Sequence, residues 1–105
     1  MDDYIRIVHK NTEMFSTYDP DTLLKILDEC AEKMGAEMEV YAGKYKARLK
    51  MATEMDNIEM KVNILKVDEA KNCVEFNRVL GDQIEFLNLY NKIKGYFGEF
   101  NDAAF

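Results

Sequence analysis

The chain has 105 residues, enough for one domain with a core of its own and too few for two. Apolar residues make up 48% and the net charge is −6, a balance that excludes a disordered tail and disfavours whole-molecule attraction to nucleic acid. Cys30 and Cys73 are far apart among apolar neighbours and read as two buried thiols of a reducing cytosol, although sequence alone leaves a disulfide between them open.

Tyr4 to Val8 is a short apolar segment of undetermined type, and residues 1–11 are expected to be an extension or short strand before the domain proper. Thr12 to Thr17 reads as a strand. Asp19-Pro20-Asp21 is a helix start: an N-cap, a proline at the first helical position and an acid in the first turn. Leu23, Leu27, Cys30, Ala31 and Met34 then share one face, and Gly35 stands where helices end. Glu37 to Ala42 alternates, with Met38, Val40 and Ala42 set against Glu37, Glu39 and Tyr41, and Gly43 turns the chain. Lys44 to Met51 alternates most cleanly. Tyr45, Ala47, Leu49 and Met51 face one way, and Lys44, Lys46, Arg48 and Lys50 the other.

After a polar connection over Thr53 to Asn57, Ile58 to Val67 is a long strand with Ile58, Met60, Val62 and Ile64 in phase. Asp68 to Lys71 turns the chain into Asn72 to Leu80, the last strand. Gly81-Asp82 opens the closing helix, with Glu85 placed to complete a capping box. Phe86, Tyr90, Ile93, Phe97 and Phe100 fall on its apolar face, and residues 102–105 are expected to fray. The order β-α-β-β-β-β-α with short turns predicts an α+β two-layer sandwich. In it, two helices cover one face of an antiparallel sheet of four to five strands.

Catalytic chemistry finds little material. His9 is the only histidine and has no partner cluster, and the cysteines and histidine have no metal-ligand spacing. Acidic pairs such as Asp28-Glu29 and Glu54 with Asp56 read as exposed carboxylates. Met34, Met38, Met51 and Met60 fall in core phase and read as gap-fillers. No phosphate-binding or nucleophile-elbow motif occurs, and no apolar run is long enough for a membrane span. The one suggestive constellation is basic: Lys44, Lys46, Arg48 and Lys50 on one strand face, Lys61 in the next strand pointing the same way, and Arg78 at the exit of the last strand. Two uses compete. Lysines on an uncovered sheet face discourage edge-to-edge aggregation, and the same residues make a surface for anionic lipid headgroups or an acidic protein segment.

Several segments together resemble kinase-associated domain 1, the small C-terminal module of many AMP-activated-kinase-related Ser/Thr kinases. They are Phe15-Ser16-Thr17 with Asp19-Pro20, Gly35, Lys44-Tyr45-Lys46-Ala47-Arg48-Leu49, Val74-Glu75-Phe76-Asn77-Arg78 with Gly81-Asp82, and Phe86, Tyr90 and Ile93. The match runs from Met14 to Gly95. Gly81 to Phe86 is also similar to the related module of plant kinases regulated by calcineurin-B-like sensors, which contact a phosphatase. The resemblance implies a non-catalytic regulatory domain of a larger cytoplasmic kinase. Its partners would be its own kinase domain or a regulatory subunit, held by autoinhibitory or partner-protein contact, with no nucleic acid involved. The alternative it implies is a peripheral membrane module that binds phosphatidylserine and similar lipids, with Lys44, Lys46, Arg48 and Arg78 as anion contacts. No cofactor is expected; ATP and magnesium would belong to the parent kinase domain. The acidic balance and Asn77, where a second basic residue is common in lipid binders, shift the expectation toward protein contact. A stand-alone small ligand-binding domain is the third reading, and a closed ligand pocket would be its mark.

Overall fold

The computed structural model describes residues 12–41, 43–54 and 56–98. The expectations for Tyr4 to Val8, His9, Phe100 and the two ends lie outside them. The elements are β1 (Glu13–Ser16), α1 (Pro20–Met34), β2 (Glu37–Val40), β3 (Lys46–Ala52), β4 (Asn57–Asp68), β5 (Lys71–Leu80) and α2 (Gln83–Gly98). The five strands form one antiparallel sheet in the order β1-β5-β4-β3-β2. This is the α+β two-layer arrangement expected from the element order.

Each local element has a local cause. Asp19 caps α1 by accepting from the Thr22 N–H and hydroxyl, and Pro20 fills the first turn, where a missing N–H costs nothing. Gly35 ends the helix at φ 73°, its N–H returned to the carbonyls of Ala31 and Glu32. The turn at Gly43 frees β3 to pair with β2 from Ala47↔Val40 to Lys50↔Glu37. The two-residue connection after Asp68 makes β4 and β5 a long hairpin.

The wide connection is α1. Four successive antiparallel pairings separate β1 from β2, so the two edge strands run parallel and α1 must cross from one edge to the other. Its 15 residues span about 22 Å, enough to cross four inter-strand gaps of about 4.8 Å each. α2 lies on the same face. Between helices and sheet sit Leu23, Leu27, Ile58, Met60, Val62, Val74, Phe76, Ile93 and Phe97, each 1% exposed or less. Ile26 and Leu89 join this core although neither was on the stripe read from the sequence. Met60 is fully buried, and Met34, Met38 and Met51 pack against the core from its rim.

Long-range hydrogen bonds from side chains to carbonyls help fasten β1, the one described strand with no short connection to its neighbour. Thr12 Oγ1 donates to the Phe76 carbonyl at 2.8 Å, Asn72 Nδ2 to the Tyr18 carbonyl at 2.8 Å, and Tyr90 Oη to the Glu13 carbonyl at 3.1 Å. At the other end, the Asp82 carboxylate accepts from the Glu85 N–H at 3.0 Å and so caps α2. The expected capping box is completed only on this side. The Glu85 carboxylate instead accepts from the Thr53 hydroxyl, because the β3–β4 loop passes beside the helix start.

Candidate functional site

Strand alternation decides what the uncovered face of the sheet presents. On β3 it is Lys46, Arg48 and Lys50, since Ala47 and Leu49 are buried beneath the helices. The register places Lys50 between Glu37 of β2 and Glu59 of β4, and Arg48 between Glu39 and Lys61. Arg48 Nη1 is 3.2 Å from Glu59 Oε2, and its Nε is buried without a hydrogen-bond partner. Arg48 and Lys50 are therefore set among carboxylates, which consumes most of the positive potential they would otherwise offer.

Lys44, Lys46 and Lys61 are arranged differently. With Tyr41, Ala47 and Asn63 they line a concavity of about 260 Å³ where β3 begins. Lys46 pairs with Asn63, a neutral neighbour. The nearest carboxylate along that row is Glu75, whose Oε1 accepts from the amides of Asn63 at 3.1 Å and Asn77 at 3.0 Å. Among the described residues none of these three lysines is in an ion pair. The expected basic stripe thus divides into a compensated part and an uncompensated part of three lysines.

Arg78 does not join either part. It pairs with Met60, a core residue, so it points to the helix face of the sheet. There its Nε donates to Gln83 Oε1 and its Nη1 to the Gly81 carbonyl, both at 2.8 Å, which ties the end of β5 to the first turn of α2. A bulge between Glu59 and Met60 accompanies this end of the β4–β5 ladder. Its place in the tie explains a basic residue there without a ligand.

The remaining half of the bare face mixes an apolar row with the Glu13 and Glu75 carboxylates. Phe15, Cys73 and Leu65 form one cross-strand row, with Lys71 Nζ 5.7 Å from the Phe15 ring centre. Cys73, in the middle of this row, is buried between its neighbours, and its Sγ lies 3.5 Å from Glu13 Oε2. Burial pushes its thiol up to about 12, helped by the hydrogen bond and charge of Glu13 and the charge of Glu75. Burial raises Cys30 to about 11, against a smaller opposing pull from Lys33. Both thiols are free. Cys30 lies on the buried face of α1 and Cys73 on the opposite side of the sheet, so no disulfide joins them. Neither is a thiolate near neutral pH, which removes the character a nucleophilic cysteine needs.

An enclosed gap beneath α1, between Leu27, Cys30, Met34, Met51, Met60 and Ile93, measures about 10 Å³. It is apolar throughout and smaller than one water needs with its polar partners. Among the described residues no three His, Cys, Asp or Glu side chains converge on a metal position, and no helix is long and apolar enough to cross a membrane.

No family sequence model matches the chain. Its fold is similar to that of a chain in the crystal structure of the adenylate sensor from AMP-activated protein kinase in complex with 5-aminoimidazole-4-carboxamide 1-beta-D-ribofuranotide. The TM-score is 0.63 at 11% identity, and the match covers 80% of this chain and 91% of the other. At that identity the likeness is one of fold.

Proposed function

We propose that this chain is a non-catalytic regulatory domain of a cytoplasmic Ser/Thr protein kinase, acting by contact with its kinase domain or with a partner subunit. The observation that carries the reading is the convergence of Lys44, Lys46 and Lys61 in one concavity while Arg48 and Lys50 of the same face are set among carboxylates. The kinase setting is supported by the fold shared with a chain of an AMP-activated protein kinase assembly and by the resemblance to kinase-associated domain 1. The adenylate of that assembly is not carried over, because at 11% identity the likeness is one of fold and brings no ligand with it.

The three lysines also favour a second reading, docking to anionic phospholipid. Each basic residue at such a surface contributes about 1 kcal/mol. A flat membrane, however, would meet the whole bare face and bring Glu37, Glu39, Glu59 and Glu13 against it with the lysines. An acidic protein segment can enter the concavity alone, and this difference in shape ranks protein contact first. The test is inhibition of the kinase in trans by the chain, beside the Lys44→Glu/Lys46→Glu/Lys61→Glu variant. Sedimentation with phosphatidylserine vesicles at physiological salt, lost in the same variant and with no effect on the kinase, would replace the reading by the membrane one.

A further inference from the structure

The pairing of β3 with β4 stops at Lys46↔Asn63, with one further bond from the Ile64 N–H to the Tyr45 carbonyl at 2.9 Å. β4 itself continues to Asp68, held on its other side by β5 as far as Asp68↔Lys71. Among the described residues nothing pairs with β4 from Leu65 to Asp68 on the side that β3 has left. The Ile64 N–H points to that side, and by the two-residue period of a strand the Lys66 N–H does too. Protected edges usually carry charge or a covering element. Here the open stretch displays Leu65 at 47% and Val67 at 52% exposure, with Tyr45 at 45% where β3 turns away.

The charge around this edge has one sign at one end. The edge begins beside the concavity of Lys44, Lys46 and Lys61, and Lys66 lies within it. From this geometry we infer that the edge is a strand-addition site for an extended, acidic segment of a partner protein. The inference rests on the proposed reading of the chain as a partner-binding regulatory module. The segment runs antiparallel to β4, in the line of β3. Its backbone takes up the free groups of Lys66, its apolar side chains on the uncovered face lie on Leu65 and Val67, and a run of carboxylates at its C-terminal end, the end nearest β3, meets Lys44 and Lys46. Main-chain bonds supply the register and the alternating side chains the selectivity, as in other strand additions. An anionic membrane satisfies the lysines but offers no backbone to the edge.

The experiment titrates the whole 105-residue chain with the synthetic peptide acetyl-TVTLEEE-amide, whose valine, leucine and sixth-position glutamate share one face, and reads amide shifts and hydrogen exchange at Lys66. Two control peptides carry lysine for every glutamate, or N-methyl groups on alternate residues. Expected are saturable binding, at least tenfold slower exchange of the Lys66 amide, a tenfold weaker fit to Lys44→Glu/Lys46→Glu, and loss of binding with both controls. The Val67→Asp variant, whose change is on the exposed surface, should weaken the peptide without altering the fold's spectrum. A Lys66 amide already protected in the free chain overturns the inference. Equal binding of the N-methylated peptide overturns it in favour of simple charge contact. Binding to phosphatidylserine vesicles with none to the peptide overturns it in favour of a membrane. If the peptide fails while the chain still inhibits the kinase through its lysines, strand addition falls and the regulatory reading stands.

Discussion

Gly81 passes so close to Asn57 that a β-carbon on it would stand 2.6 Å from the Asn57 carbonyl oxygen and 2.5 Å from Ile58 Cδ1. Its φ of 108° is also a conformation that side-chain-bearing residues rarely adopt. The turn from β5 into α2 therefore depends on glycine twice, once for conformation and once for space. Gly35 needs it only for conformation: φ is 73° and nothing lies within 4 Å of its would-be β-carbon.

Gly35→Ala should accordingly lower the unfolding free energy by about 1 kcal/mol, the usual cost of a left-handed non-glycine residue. Gly81→Ala should cost about 3 kcal/mol or more, since backbone displacement is added to the strain. Urea unfolding of the two variants checks this; equal losses would mean that the Gly81 turn relaxes freely.

Tyr90 joins α2 to both partners of the β1–β5 pair. Its ring meets Phe76 edge-on with centres 5.4 Å apart, and its hydroxyl donates to the Glu13 carbonyl. Burial and the Glu13 charge raise its pKa above the ordinary tyrosine value, so the hydroxyl stays a donor through neutral pH. Tyr90→Phe keeps the ring and should lose about 1 kcal/mol, with faster amide exchange in β1. Tyr90→Ala should lose about 3–5 kcal/mol, the range for a buried aromatic. Unchanged β1 exchange in the phenylalanine variant would show that the hydroxyl does not hold the edge strand.

The two thiols predict an alkaline slope. In the unfolded chain they lose protons from about pH 9, their ordinary value. In the folded chain Cys30 keeps its proton to about 11 and Cys73 to about 12. Between these limits the folded state binds more protons, so stability falls as pH rises. Melting temperature should drop from pH 8 to pH 10.5, and drop less in Cys73→Ala than in the parent chain. Identical slopes would mean that Cys73 is solvated. Alkylation of both thiols at pH 8 should be slow in the native protein and fast in urea.

The features legible in the sequence were those fixed by neighbours a few residues away. Asp19-Pro20 and Gly35 bracket α1 because caps act within one turn. The alternation in β3 and β4 gave their buried sides because pleating has period two. The place of β1 beside β5 was not legible. It rests on Thr12, Tyr90 and Asn72 meeting carbonyls more than fifty residues away, and no local pattern encodes such a meeting. The same limit applied to the candidate site. Alternation put Lys46, Arg48 and Lys50 on one face, but only the register shows that Glu37, Glu39 and Glu59 balance two of them. Arg78 joins the lysines in the sequence reading because it is basic and stands at the exit of the last strand. The alternation from Phe76 through Arg78 points it to the helix side, and this could have been read beforehand.

The account's central claim is that the chain regulates a kinase by protein contact through Lys44, Lys46 and Lys61. Its most direct test measures kinase turnover against increasing chain in trans, for the parent sequence, the Lys44→Glu/Lys46→Glu/Lys61→Glu variant and an Arg48→Gln/Lys50→Gln variant. The account predicts saturable inhibition by the parent chain, at least tenfold weaker inhibition by the first variant, and little change with the second. Inhibition that survives the triple reversal, or no inhibition by a folded parent chain, would contradict it.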